Sequence, residues 1–411
     1  MKTGTKYALA GASAGVAAAA APLACGIYLG KKRRPLEEDD FLRIKDSALV
    51  TESGKTVNLL GVDLAATPFT CTKDGEDFDE SKDRIFDELA ARFGNYGARE
   101  IYGKYYENYI TKADLKAVKK LGINCVRVPL SSNLIFKEGK LKKTDPDLER
   151  IDRIISACKK AGIYTILSLD SAPGFDGGED GFDSESKKAF KKRNSVITMW
   201  SKIAAYYKDE PAIAAYDILD CGALGIQCAG NVESFCIRAV KAIRNIGDSH
   251  IALVQFADLS DDLPKRIEGL NIAAGISRGY CTMREMQYIA AKATLFNEKG
   301  IPVVIANLRP SSCATAVSVL YENGIGGVFA GFKGRGEYVF RGNPPVIDLK
   351  LDNYESINEK LGDACATKTY MLNEELMSEI KRAASGIVFD KKLETPVKIH
   401  YSHGTAYSAG I

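Results

Sequence analysis

Short apolar segments alternate with amphipathic segments along the chain from residue 41 onward. Several of the short segments are apolar on both faces, as buried parallel strands are. The predicted strands are Val57–Ala65, Ile123–Pro129, Ile163–Leu169, Ile213–Asp220, His250–Phe256, Asn271–Ser277, Ile301–Asn307 and Ile325–Phe332. The helical patterns between them are Lys112–Lys120, Asp147–Ala161, Ser186–Tyr207, Val232–Asn245, Met283–Lys299 and Cys313–Asn323.

Repeated alternation of strand and helix is typical of a (β/α)8 TIM barrel. Gly122, Gly162 and Gly300 each stand just before a strand, where a helix needs a C-terminal cap. A doubly wound open sheet is the alternative, but no GxGxxG follows the first strand. The pattern therefore favours the closed barrel. Two short apolar segments, Leu42–Lys45 and Ala48–Val50, predict a hairpin that caps the barrel bottom.

The N-terminus differs in character from the rest of the chain. An uncharged run rich in Ala and Gly, Tyr7–Gly30, is long enough to span a bilayer and is closed by the basic cluster Lys31–Arg34. A cleaved signal peptide and a buried helix are the alternatives. The predicted divisions are a membrane or signal segment at 1–34, a linker at 35–40, the barrel at 41–385 and a tail of unknown role at 386–411.

Composition and charge exclude several classes of function. The 56 Lys and Arg residues against 53 Asp and Glu residues give a net charge of +3, too little for a nucleic-acid-binding surface. Ten Cys at irregular spacings do not form a small disulfide scaffold, and Cys221, Cys228 and Cys236 lack the partners for zinc. His400 and His403 lie in the tail and are interpreted as incidental. No metal and no cofactor are predicted.

Several motifs, in order and in register, resemble glycoside hydrolase family 5, the cellulase family. They are Tyr105–Thr111, Leu121–Pro129, Ala161–Leu167, Ala172–Gly174, Ile203–Ala204, Tyr206–Asp209, Ala215–Leu219 and Ala242–Arg244 ahead of His250. The similarity runs from about Leu42 to Leu376. It implies the same barrel, with hydrolysis by two carboxylates across the glycosidic bond. It also implies that the helical insertion Ser81–Asn108 packs on the barrel.

The resemblance fails at the positions of the two reacting groups. The family's acid follows strand four and its nucleophile ends strand seven, where this chain has Cys221 and Asn307. The tryptophan that closes strand eight in the family is Ala330, and the histidine motif after strand three reads Ser168–Ser171. Cys221 is interpreted as a buried structural thiol. The sequence therefore predicts a protein that is not an enzyme, with no catalytic residues.

Charged side chains near the strand ends form one further group. In this fold the C-terminal rim carries the binding site. The candidate ligand-binding residues are Asp63, Arg127, Asp170, Asp220, Arg278 and Tyr280. Two interpretations are open: a buried ion-pair network that fills a vacated cleft, or a pocket for a polar ligand. Trp200 is expected in the core, so it does not indicate a sugar platform.

These observations predict a membrane-tethered, cellulase-like barrel that acts as a binding or scaffold module for a carbohydrate or a protein partner at its mouth. The membrane contact is assigned to residues 7–30, with the barrel outside the cytoplasm and no nucleic-acid partner. The alternative is an active glycoside hydrolase that uses relocated carboxylates such as Asp170 or Asp220. Two carboxyl groups about 5–10 Å apart beside an open cleft would favour the enzyme, and a filled cleft would argue against it.

Overall fold

The computed structural model describes residues 34–64, 69–73, 76–78, 82–142, 146–173, 180–221, 230–256, 259, 267–277, 282–308, 319–320, 323–334 and 338–378. The predicted membrane segment at 7–30, the tail at 386–411, Arg278 and Tyr280 lie outside these ranges, as does most of the helix predicted at Cys313–Asn323. No helix within the described ranges has both the length and the apolar character that a membrane crossing requires.

Eight parallel strands close into a barrel, as the alternation predicted. In barrel order they are β3 (Leu60–Asp63), β6 (Cys125–Ser131), β9 (Tyr164–Ser171), β10 (Ile213–Asp217), β11 (Ile251–Gln255), β12 (Ile272–Ser277), β13 (Val303–Leu308) and β14 (Gly326–Phe329), which pairs with β3 again. Their side chains are almost entirely buried because the barrel interior and the surrounding helices cover both faces.

Some barrel strands are shorter than the apolar segments that predicted them. The strand predicted at Val57–Ala65 begins only at Leu60, because the Val57 amide bonds to the carbonyl of Leu49 in the hairpin and the Leu60 amide to the side chain of Asn124. The buried segment is thus longer than the strand. An apolar run in the sequence predicts which residues are buried, but it does not show which of them form the hydrogen bonds of the sheet.

Most of the helices follow the predicted amphipathic segments closely, but those at Ser132–Ile135 and Tyr354–Cys365 were not predicted. The helices are α1 (Lys82–Asn108), α2 (Lys112–Lys120), α3 (Ser132–Ile135), α4 (Pro146–Ala161), α5 (Lys187–Tyr207), α6 (Gly230–Asn245), α7 (Met283–Asn297) and α8 (Tyr354–Cys365). Side-chain caps explain several starts: the hydroxyl of Ser186 accepts from the Ala189 amide, and Thr282 forms a capping box with Glu285.

The N-terminal hairpin covers the bottom of the barrel, as predicted. It is formed by β1 (Leu42–Lys45) and β2 (Ala48–Thr51). The Phe41 ring lies 4.4 Å from the ring of His250, which immediately precedes β11. Nδ1 of His250 lies 2.8 Å from Asp248, whose carboxylate also accepts from the hydroxyl of Tyr216 at 2.8 Å. This buried polar cluster holds Tyr216, Asp248 and His250 together at the end of the barrel that the hairpin covers.

A second layer, built on α1, lies beside the opposite end of the barrel. Helix α1 packs against α8, and it is kinked at Gly94, whose φ of 71° suits a residue without a Cβ. Two small sheets accompany it. They consist of β4 (Phe69–Lys73), β5 (Glu76–Phe78) and β17 (Ile347–Asp348), and of β15 (Lys333–Gly334), β16 (Phe340–Gly342) and β18 (Tyr370–Leu372). The remaining pair is β7 (Phe136–Lys137) with β8 (Lys140–Leu141).

Candidate functional site

Arg127 stands at the centre of the barrel mouth and binds three carboxylates. Its Nη1 lies 2.6 Å from Oδ2 of Asp63 and 2.6 Å from Oδ2 of Asp220, and its Nε lies 2.9 Å from Oδ2 of Asp217. All four side chains are at most 4% exposed. The strands β3, β6 and β10, with the residues that follow β10, converge here because parallel strands bring their C-terminal ends to one face.

Asp217 is the carboxylate of this network that the sequence analysis missed. It ends β10 and is fully buried. Besides Arg127 it accepts from the Ser168 hydroxyl at 3.1 Å and from the Gln255 amide at 2.8 Å. The available signal was a single carboxylate within the apolar segment Ile213–Leu219, because such a charge needs a partner when it is buried.

Asn307 joins the network from β13 with an unusual backbone. Its φ is 58°, in the left-handed region that asparagine tolerates better than most residues. The pairing of β13 with β14 shifts register between Ile305 and Leu308. The amide of Asn307 donates to Asp220 at 3.0 Å and to Ser277 at 2.9 Å, and its oxygen accepts from Arg127 at 3.2 Å.

The electrostatics of the network favour retention of a proton. Burial alone would lower the pKa of Arg127, but its carboxylate neighbours raise it well above its ordinary value. Burial raises the pKa of Asp217 to about 6, in spite of the lowering effect of Arg127, and the charge of Asp220 adds to the rise. One guanidinium does not neutralise three carboxylates, so mildly acidic solution leaves a proton in the network.

The structure brings together three of the predicted site residues but not all of them. Asp63, Arg127 and Asp220 come together as expected. Asp170 is partly exposed near the end of β9, where it is the one extra residue between the pairing of Leu169 with Leu130 and that of Ser171 with Ser131. Arg278 and Tyr280 lie outside the described residues, so their part in the site stays a prediction.

Two further predictions about single residues are confirmed. Cys221 is a buried thiol, 6% exposed. Trp200 is fully buried, and its indole nitrogen donates to the carbonyl of Ile218 at 3.2 Å. Neither side chain is therefore available on the surface for catalysis or for stacking on a sugar.

The spacing of Asp63 and Asp220 matters for chemistry. Both carboxyl oxygens lie 2.6 Å from the same nitrogen of Arg127, so they are within about 5 Å of each other, the separation that retaining glycosidases use. Arg127 occupies the space between them, so the spacing that the sequence analysis expected of an enzyme is present but the open cleft is not found between these two carboxylates. In the described part of the chain, no group of three or more His, Cys, Asp or Glu side chains is placed to hold a metal ion.

Comparison with known proteins shows what this barrel is similar to. Residues 87–265 match the family Cellulase (glycosyl hydrolase family 5). The resemblance to glycoside hydrolase family 5 is confirmed. A β-xylosidase of Phanerodontia chrysosporium is 29% identical over 192 residues, which cover 44% of this chain and 39% of that protein. A probable glucan 1,3-β-glucosidase A of Neosartorya fischeri is 29% identical over 152 residues, 35% of this chain and 36% of that protein.

Solved structures support the fold. A GH5-4 broad-specificity endoglucanase of Clostridium longisporum superposes with a TM-score of 0.51 at 14% identity, covering 80% of this chain and 97% of that one. A related endoglucanase of Clostridium cellulovorans gives 0.50 at 15% identity, covering 79% and 94%. The chain thus spans less than two fifths of the two curated relatives by sequence, but nearly all of these two barrels by structure.

The prediction that this protein is not an enzyme is wrong. The matched family and the related proteins are glycoside hydrolases, among them a β-xylosidase and a glucan 1,3-β-glucosidase. The prediction rested on two positions, Cys221 and Asn307. A barrel mouth collects side chains from eight strand ends, so a residue-by-residue comparison at two of them does not account for the carboxylates on the others.

Proposed function

We propose that the protein is an O-glycosyl hydrolase whose barrel mouth binds a β-linked saccharide, with Asp63 and Asp220 as its catalytic pair. The observation that supports this most directly is the separation of their carboxyl oxygens, within about 5 Å. The relatives that act on β-glucans and β-xylosides indicate the class of substrate.

Asp220 suits the role of nucleophile. It accepts hydrogen bonds from Arg127 and from Asn307, and both donors favour the ionised carboxylate and fix its direction. In a retaining mechanism this carboxylate attacks the anomeric carbon and forms a glycosyl ester, while the bond to the leaving oxygen breaks. The asparagine at the family's nucleophile position then orients the carboxylate on the neighbouring element.

Asp63 suits the role of acid and base. It must hold a proton when the glycosidic bond breaks, give it to the leaving oxygen, and recover one from the water that hydrolyses the ester. Asp63 takes up this proton from solvent when it leaves Arg127, because loss of that cation makes the carboxylate easier to protonate. Entry of the substrate requires Asp63 to leave Arg127, so substrate hydroxyls must replace that contact.

The full chain is expected to release sugar from at least one of cellopentaose, laminaripentaose and xylopentaose, with a rate that falls as the pH rises above about 6. Asp220→Asn should reduce the rate by a factor of about 10³ or more, because an amide cannot form the ester. Asp209→Asn, the same chemical change at an exposed site, should have no effect. NMR of the first product should show the retained anomer.

Two results would contradict this function. One is a wild-type chain that releases no sugar from any of the three pentasaccharides. The other is an Asp220→Asn variant that is as active as the Asp209→Asn control.

We also propose that residues 7–30 anchor the protein in a membrane with the barrel outside the cytoplasm. The uncharged run and the basic cluster Lys31–Arg34 support an anchor, and the family resemblance supports the outer side. Protease added to intact cells should then degrade the barrel while a cytoplasmic marker survives. Protection of the barrel until the cells are lysed would show the opposite orientation.

A further inference from the structure

A groove lies between helices α2 and α4 on the outside of the barrel. Its volume is about 310 Å³. Leu115 and Ile154, each 3% exposed, give it apolar walls. Lys112, the first residue of α2, and Lys160, near the end of α4, line the same space. A groove with apolar walls and cationic side chains suits an amphiphile with an anionic head, because each part of such a molecule meets its complement.

The surface around this groove is basic. The exposed lysines that define this α2–α4 face are Lys112, Lys116, Lys120 and Lys160. The three on α2 are four residues apart, so they form one row along the helix. None of the four forms an ion pair with a carboxylate among the described residues, whereas the neighbouring Lys159 pairs with Glu210 at 3.0 Å. The four ammonium groups are therefore open to a ligand from outside the chain.

Acidic side chains on the same helices do not cancel this charge. Asp114 is 1% exposed, and Asp152 accepts hydrogen bonds from two tyrosine hydroxyls of α5. Exposed Glu107 lines the groove, and exposed Glu149 lies one turn before Arg153 on α4. Arg153 also lines the groove and offsets one of these two carboxylates. The lysines remain in excess, so the α2–α4 face attracts an anionic surface.

The N-terminal linker joins the barrel beside this face. The amide of Leu36 donates to the carbonyl of Lys159 at 2.9 Å, next to Lys160 of the groove. Gly30, the last residue of the uncharged run, is six residues before Leu36, and six residues span at most about 20 Å at full extension. A membrane that residues 7–30 enter is therefore held close to the end of α4.

We propose that the α2–α4 face rests on a membrane that contains anionic lipids, with lipid phosphates bound at Lys112 and Lys160. The apolar walls of the groove then receive the upper part of an acyl chain. This contact rests on the proposed anchor, which brings the face near the membrane, and it requires no catalysis. The exposed acidic segment Glu37–Asp40 would meet the same membrane if the barrel stood on its bottom end. Repulsion there favours a barrel that lies on its flank, with its mouth opening along the membrane.

The test measures the reactivity of each lysine in the full chain, reconstituted into vesicles of phosphatidylcholine with or without about one third phosphatidylglycerol. A water-soluble N-hydroxysuccinimide ester acylates accessible lysines, and mass spectrometry gives the extent at each position. Labelling of the four lysines of the α2–α4 face should fall by about three- to tenfold when phosphatidylglycerol is present, because the lipid surface covers them. The protection should disappear in about 1 M salt, where the Debye length is about 3 Å.

Lys241 of α6 and Lys299, just after α7, are matched controls elsewhere around the barrel. Both are exposed, and neither forms an ion pair with a described carboxylate. Their labelling should stay within about twofold in the two kinds of vesicle. Lys112→Gln combined with Lys160→Gln should remove at least half of the protection at the other two lysines of the face. Lys241→Gln combined with Lys299→Gln makes the same change in net charge and should leave that protection unchanged.

Flotation of the same vesicles in about 1 M salt separates the lipid contact from the proposed anchor, because salt releases an electrostatic contact but not an inserted segment. A chain that leaves the vesicles in salt, yet has protected lysines at low salt, would keep the α2–α4 contact and remove the anchor. The contact is overturned if the four lysines react equally with and without phosphatidylglycerol, or if Lys241 and Lys299 are protected as strongly. It is also overturned if polyglutamate, which mimics an acidic protein, protects the four lysines and anionic vesicles do not.

Discussion

Replacing Arg127 with methionine is expected to lower the free energy of unfolding by about 3–5 kcal/mol, the range for breaking a buried ion pair by removal of one partner. The guanidinium is 1% exposed and binds Asp63, Asp217 and Asp220. Methionine fills much of the volume but leaves three buried carboxylates facing one another without the guanidinium. Urea unfolding monitored by circular dichroism at pH 7, above the pKa of about 6 of Asp217, measures the change.

A matched control separates burial from charge. Arg43 also pairs with a carboxylate, that of Glu52, but the two side chains are 48% and 42% exposed. Solvent screens such a pair, so Arg43→Met should cost about 0–1 kcal/mol. Arg127→Lys should fail almost as badly as Arg127→Met, because the Nε and Nη1 contacts point in different directions and an ammonium cannot supply both. Equal losses for Arg127→Met and Arg43→Met would show that the network does not hold the barrel mouth together.

The parts of the fold that could be predicted from sequence are those with long-range regularity. A strand such as β6 is buried throughout, and helices such as α4 and α5 run for several turns, so each leaves a clear pattern. The two small sheets beside the mouth were missed because strands of two to five residues, such as β17, are too short to show a period of two. The sheet that contains β17 packs against α8, and Phe69 of its strand β4 packs against Tyr102 and Tyr105 of α1, so its position depends on tertiary contacts.

The candidate site was partly predictable for a related reason. Asp63 and Arg127 could be located because they lie on barrel strands whose direction is clear from their apolar pattern. Asp217 and Asp220 could not be assigned to one site in the same way, since alternation along a strand would place residues three apart on opposite faces. The chain leaves β10 after Asp217, and the Asp220 amide then bonds to the carbonyl of Leu169 on the neighbouring strand. Tertiary hydrogen bonding therefore brings both carboxylates to Arg127.

Asn307, which has a left-handed backbone, is a second residue whose role in the site could not be predicted from sequence. The resemblance in sequence implies that it stands at the family's nucleophile position, which suggested a lost function. The structure shows that its side chain holds Asp220 and Ser277 instead. A substitution can remove a reacting group at one strand end while its new side chain supports a residue on a neighbouring element. The second effect depends on the tertiary structure and cannot be found by comparing sequences.

The stability of the protein is expected to depend on pH through Asp217. Its pKa in the folded protein is about 6, raised from an ordinary value of 3.8 mainly by burial. Between these two values the folded protein keeps a proton that the unfolded chain releases. The contribution to stability is therefore fully present below about pH 4, and it is lost as the pH rises through about 6, by about 2–3 kcal/mol in all.

Comparison of wild type with Asp217→Asn isolates this contribution, because an amide does not titrate. The difference in unfolding free energy between the two proteins should change between pH 4 and pH 6, with the wild type losing stability relative to the variant, and should be flat from pH 7 to pH 8.

Asp248→Asn is a control of opposite sign. The bonds from His250 lower the pKa of Asp248 below its ordinary value in spite of burial, so its contribution is lost as the pH falls below about 4. A wild-type minus Asp217→Asn difference that is constant across pH 4–8 would mean that Asp217 does not keep a proton in this range and that burial does not raise its pKa.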